Sequence, residues 1–391
     1  MDDWGGIIKI PSRSFPEGGE EEKVQQFVAE KMKAAGARVR TFEAADIPGC
    51  LEHPLWCGPE RNYKARPTVA GEFGPENAPA LIVMAHSDTV PILRPEEWKV
   101  DPFCGEIKNG KIYGLGSGDD KWGVAAMLAI MRAIAASGKT PEKRLIFIST
   151  MDEENGVGNG LILLMLAGIR AEAALYLDGC QKEVAIGNCG GSNLYLRPLS
   201  KIDPERFNNH ADLLENACKK TSRERIPLFD MPFFKQWQDA DKSFVFYQRQ
   251  DSRGPFFLIA FYMPDGETKE SVRKQLENMI TQALGADISL YALSYRNPWF
   301  EPSVIPADTP LIGYLTKASG EEIRQKPTIK ILGKQDSFVF RNYAKIPTIS
   351  FGVSRFGKEG HHQPNESVFV EDGWDACRIA YRTVYNWLKG G

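Results

Sequence analysis

Acidic and imidazole side chains recur in this sequence at the ends of β-prone runs. The apolar run 80–85 (ALIVMA) delivers His86, with Asp88 two residues later. The run 111–115 passes through Gly116-Ser117-Gly118 into Asp119-Asp120-Lys121. The run 144–150 (RLIFIST) delivers Asp152, Glu153 and Glu154, and 173–177 (AALYL) delivers Asp178. A late strand is followed by His361-His362-Gln363-Pro364-Asn365-Glu366. In open α/β sheets, sites form beyond the carboxyl ends of the strands. Five strand ends bearing carboxylate or imidazole are therefore expected to converge. Gathering Asp119, Glu153, Glu154 and Asp178 in one crevice is unfavourable through repulsion and desolvation unless cations neutralise them. Two divalent ions would do so, and oxygen donors with two imidazoles suit zinc first, with manganese or cobalt as alternatives. In one arrangement Asp119 bridges, His86 and Asp178 complete one metal, and Glu154 and His362 complete the other. Glu153 then holds no metal and is placed to act as general base and acid.

The blander readings stay open at this level. A lone His86 could be a core histidine, 152–154 a solvated acidic turn, and Asp178 a helix cap. His361 competes with His362. The glycines of 114–118 lack both the GK[ST] of a phosphate loop and the third glycine of GxGxxG, so they read as close backbone approach around the acids.

The elements that must position these residues alternate between strand and helix. A helix is expected over 20–35, ended by Gly36, and another over 122–136 with almost no polar face. The runs 144–150 and 173–177 are apolar on both faces, as in a parallel sheet covered by helices. The same grammar resumes with a helix over 310–319, a strand over 346–353 and a closing helix over 372–388. Between these halves lie a strand at 192–199, a helix at 210–220, strands at 244–248 and 255–263, a helix at 267–284 and a strand at 287–295. That order is the β-α-β-β-α-β split motif. The expected fold is α/β: a mixed, largely parallel sheet in a catalytic domain (1–188 and 304–391), with an inserted ferredoxin-like lid (189–303).

Composition sets outer bounds. The 391 residues exceed one ordinary domain. A formal charge of −3 gives no general attraction for nucleic acid or an anionic membrane. No run of about 18 apolar residues occurs, and the first thirty residues contain no apolar stretch of signal-peptide length. Seven cysteines without a CxxC pair fit reduced thiols. The expected location is the cytoplasm.

The pattern HxD, then D-x-K after a glycine-rich turn, then paired glutamates, a single acid and a late H-x-x-N-E resembles the M20 metallopeptidases. The residues carrying it are His86-Ser87-Asp88, Asp119-Asp120-Lys121, Glu153-Glu154, Asp178 and His362 to Glu366, together with the run 98–116. The resemblance implies two metal ions, Glu153 as acid and base, Asp88 orienting His86, and an Asp119–Asp120 bond that could be cis. It also implies a small peptide or N-acyl amino acid as substrate and a lid that could mediate a homodimer. Asp178 in Tyr176-Leu177-Asp178-Gly179 resembles the dipeptidase and aminopeptidase branches, whereas deacylases usually carry glutamate there. Trp122 replaces the expected glycine, and a role in the pocket wall is considered for it. His210 is the lid's one histidine and a candidate for the family's lid histidine. Asp336 stands where the family has a pocket aspartate. Both are candidate substrate-binding residues, and a catalytically inactive metal-binding relative is the rival reading.

Overall fold

The computed structural model describes residues 2–230, 232–234 and 243–390. It divides into two compact units: Met1–Ile186 with Ile305–Ile329 and Val339–Gly391, and Gly187–Val304 with Lys330–Phe338. The stretch 330–338, assigned from sequence to the catalytic domain, clusters with the second unit.

The first unit is built on a mixed sheet. Its centre is four parallel strands in the order Thr348–Ser350, Ala173–Tyr176, Ala80–His86 and Arg144–Thr150. Every residue of Ala80–His86 and Ala173–Tyr176 is buried, which accounts for their unbroken apolar runs. The register sets the site. His86 lies level with Thr150, and Tyr176 with both Met84 and Ser350. The residues after His86, Thr150 and Tyr176 therefore leave the sheet at one end. Antiparallel strands Thr68–Phe73 and Arg38–Phe42 extend one edge. Neither was expected from sequence: Arg38–Phe42 is a largely exposed edge with mixed polarity, and Thr68–Phe73 is buried but interrupts its apolar run with Gly71 and Glu72.

The helix Lys121–Ala136 packs on the strand ending in His86 and buries eleven of its sixteen residues. Asp120 caps it, accepting from the Gly123 N–H at 3.1 Å. Trp122 is buried, its Nε1 donates to the Gly373 carbonyl, and the cavity it lines, with Trp4, Arg132 and Trp374, includes none of the acidic or imidazole residues singled out above. One expectation about delivery needs correction. Lys111–Tyr113 is outside the central sheet; it pairs with Ile107–Lys108 and Ser367–Phe369 in a small antiparallel sheet. Asp119 thus enters the site from the helix cap rather than from a central strand. The late helices run longer than expected, Pro310–Ile323 and Val370–Lys389, and the strand between them is shorter, Thr348–Ser350.

The second unit carries strands Gly190–Pro198, Phe244–Asp251, Gly254–Met263 and Tyr291–Tyr295 and helices Pro204–Arg225 and Lys269–Leu284. The antiparallel sheet, with strands numbered by their order within this unit, runs 2-3-1-4, the ferredoxin-like order. Its core is aromatic and aliphatic, with Phe207 stacked on Phe257 at 4.2 Å between ring centres. The first helix starts earlier than its apolar spacing suggested. Asp203 accepts the N–H groups of Glu205 and Arg206, and Pro204 fits the first helical position.

Candidate metal centre

His86 ends a fully buried strand, and its surroundings fix its ring. Nδ1 lies 3.1 Å from the Asp88 carbonyl oxygen, so this nitrogen carries the proton that it donates. Nε2 is thereby presented to the site, 3.0 Å from Asp119 Oδ1. The other oxygen of Asp119 faces a different imidazole: Oδ2 lies 3.3 Å from His362 Nε2, which also lies 3.0 Å from Glu154. One carboxylate therefore stands between two donor groups, His86–Asp119–Asp178 and Asp119–Glu154–His362. Within each group the ligand atoms lie within 4.8 Å of one another. Tetrahedral bonds of about 2.0 Å put neighbouring ligand atoms about 3.3 Å apart, so these spacings suit a divalent ion in each group.

The protonation states support the fit. Burial lowers the pKa of His86, but the hydrogen bonds to Asp119 and Asp88 outweigh it and hold the pKa well above that of an ordinary imidazole. His362 is likewise raised, burial being outweighed by the charge of Glu154 and the contact with Asp119. For Asp119 burial raises the pKa, yet His362 and His86 pull it well below the usual carboxylate range. Both imidazole shifts have the same direction, toward the positive charge that these neighbouring carboxylates favour.

Backbone groups hold the arrangement. The Asp88 carboxylate accepts the N–H of Glu153 at 3.0 Å and of Glu154 at 3.1 Å, tying the short helix Glu153–Gly156 to the His86 loop. The peptide between Asp119 and Asp120 is cis. Asp120 is buried, and burial followed by the charges of Asp178 and Asp119 raises its pKa well above the usual range. Glu366, the last residue of the H-x-x-N-E run, has a supporting task that its position in the sequence does not reveal. Its carboxylate accepts the N–H groups of Gly116 and Gly118 at 2.9 Å and of Asp119 at 3.3 Å, fixing the loop that presents Asp119. Asn365 closes a further turn by accepting from the Lys99 N–H and donating to the Glu97 carbonyl.

Three other expected residues are in neither donor group. His361, the competing histidine, pairs through Nδ1 with Ser354 Oγ at 2.8 Å and is in neither donor group. His210 belongs to the second unit, inside the helix Pro204–Arg225 rather than at its start. Its two ring nitrogens meet the Tyr291 hydroxyl at 2.8 Å and Asp287 at 2.9 Å, a buried structural arrangement that leaves neither nitrogen for a substrate. Asp336 is buried in the second unit between Gln335 and Ser337, which are buried too.

A model of peptidase family M20/M25/M40 matches residues 82–386. The chain belongs to this family. The M20 assignment agrees with a succinyl-diaminopimelate desuccinylase of Methylobacterium radiotolerans, 34% identical over 346 residues, covering 82% of this chain and 84% of the relative. In fold the M20 chain is similar to human carnosine dipeptidase 1 (TM-score 0.73, 14% identity, 98% and 96% of the two chains). It is also similar to an M20 metallo-carboxypeptidase of Sulfolobus solfataricus (TM-score 0.71, 14% identity, 99% and 98%). The protein is an M20 hydrolase of the peptidase and amidohydrolase type, in a metal-dependent family whose sites are typically dinuclear. Among the described residues, no helix is long and apolar enough to cross a membrane.

Proposed function

We propose that this M20 enzyme is a dinuclear, zinc-dependent hydrolase that cleaves the amide bond of a small peptide. The observation that carries the reading is the Asp119 carboxylate with Oδ1 against His86 and Oδ2 against His362. His86 and Asp178 would complete one ion, and Glu154 and His362 the other. When bound, the ions polarise the scissile carbonyl and lower the pKa of the attacking water. The chain's own residues do the rest. Glu153 takes a proton from that water and returns it to the leaving nitrogen, its backbone held by Asp88. Asp88 keeps the His86 tautomer that exposes Nε2, and Glu366 holds the Asp119 loop rigid.

Asp178 supports a peptide substrate through its resemblance to the dipeptidase branch. The 34% identical desuccinylase favours a second reading, N-acyl amino acid deacylation. Cytoplasmic location, supported by seven free thiols, belongs to the same proposal, as does self-association through the second unit, testable by sedimentation. Protein loaded with zinc or manganese should be assayed against dipeptides and against N-acetyl and N-succinyl amino acids. Dipeptide turnover supports the first reading and N-acyl turnover alone the second. No turnover with both ions bound contradicts both and leaves an inactive metal-binding relative.

A further inference from the structure

Asp152 immediately precedes Glu153 and Glu154, in the left-handed region at φ 60°. It turns the chain from the strand Arg144–Thr150 into the short helix that carries both glutamates. Its carboxylate is fully buried and takes five hydrogen bonds. Arg61 forms a two-pronged pair, both contacts 2.8 Å, and Arg66 contributes one at 2.7 Å. Ser14 Oγ donates at 3.0 Å and Asn159 Nδ2 at 2.8 Å. Arg66 is itself held by the buried Glu21 through Nε at 2.7 Å and a second nitrogen at 2.5 Å. The carboxylate lies under the helix at Gly156, where an added Cβ would stand 2.6 Å from Asp152 Oδ2. Ser14, Glu21, Arg61 and Arg66 all precede residue 82, where the family match begins. That stretch supplies four of the six side chains in the clamp.

We infer that Arg61 and Arg66 are positioning residues that act through Asp152, fixing where Glu153 and Glu154 point. A two-pronged guanidinium pair constrains the orientation of a carboxylate as a point charge does not. With Asp152 locked, the next two residues start their helix at a set angle against Asp88. Loosening the clamp moves Glu154 away from His362 and Glu153 away from the attacking water. The His86–Asp178 group, carried on other strands, is disturbed less, since only the Asp88 hydrogen bonds link it to this helix. This inference rests on the two-ion reading above.

The test is titration of metal-free protein with Zn2+ by calorimetry, beside steady-state kinetics. His362→Ala and Asp178→Ala identify the two binding steps. Three variants grade the clamp: Ser14→Ala, which removes a hydroxyl that donates to Asp152 and accepts from Arg61 and Arg66 but leaves every charge in place, then Arg61→Lys, then Arg61→Met. The expected result is progressive weakening of the Glu154–His362 step alone, reaching about 10- to 100-fold, the range for supporting partners of metal ligands. The other step should stay within about twofold, and kcat per loaded site should fall in parallel with KM unchanged. Equal weakening of both steps, or loss of folded protein with normal kcat and affinity in the remainder, would assign Arg61 a purely structural role and overturn the inference. An unchanged Ser14→Ala and Arg61→Lys pair would overturn it too. Wild type that takes up fewer than two ions contradicts the two-ion reading itself, whatever the variants do.

Discussion

Two carboxylate clusters lie in the first unit, and they differ in what neutralises them. Glu21, Asp88 and Asp152 place oxygens within 4.8 Å of one another, as close as the ligand atoms around Asp119. In that cluster arginines fill the space: Arg66 bonds both Glu21 and Asp152, and Arg61 bonds Asp152. Around Asp119 the partners are imidazoles, whose nitrogens bind either a proton or a metal. Closeness of acids thus does not itself mark a metal site. A guanidinium is permanently charged and closes a cluster, whereas an imidazole leaves its charge exchangeable.

The largest expected effect sharpens the imidazole-bearing side. Glu153→Ala should lower kcat by about 10²- to 10⁴-fold, the usual contribution of a general acid or base. Metal content measured by mass spectrometry should stay at the wild-type value, since Glu153 is in neither donor group. Asp119→Asn should weaken both metal-binding steps together, by tenfold or more in a Zn2+ titration. A loss confined to one step would break the bridging assignment. On the arginine side, Arg66→Met leaves Glu21 and Asp152 buried without their shared partner. It should cost about 3–5 kcal/mol in denaturant unfolding. A loss near zero would mean that the second cluster is not closed by charge.

A subtler contrast is in pH. In metal-free protein the pKa values of His86 and His362 are raised above the unfolded value. The stability they contribute is fully present below about pH 6.5, the unfolded imidazole pKa, and is lost as pH rises through their folded pKa values. Zn2+ must displace those protons, so its apparent affinity should rise with pH over the same window, and binding should release protons. Calorimetry in buffers of different ionisation enthalpy counts them; zero release would contradict the protonated imidazoles. The smallest effect is expected from His210→Ala. It should destabilise the second unit by about 1–2 kcal/mol through the loss of buried hydrogen bonds, with kcat unchanged.

Much of the candidate metal centre was legible because its residues sit at sequence positions that apolar strands make conspicuous. His86, Glu154 and Asp178 follow such runs. The H-x-x-N-E spacing chose His362 over His361, and the structure brings His362 into the donor group. Asp119 was found for a partly wrong reason, since Lys111–Tyr113 lies outside the central sheet. The supporting residues were not legible. Arg61 and Arg66 come from an irregular stretch, and nothing local to them says that Asp152, more than eighty residues away, is their partner. Glu366 is the same case, since it acts on N–H groups about 250 residues distant. His210 lies inside its helix and not at its start because Asp203 and Pro204 begin that helix two turns before the apolar spacing becomes evident.

In the proposed centre one carboxylate, that of Asp119, serves two ions. Anomalous diffraction from crystals grown with Zn2+ tests it directly. Two peaks about 3.5–4 Å apart, as in two-metal sites, with Asp119 between them are predicted. A single peak, or two that do not share Asp119, would contradict it.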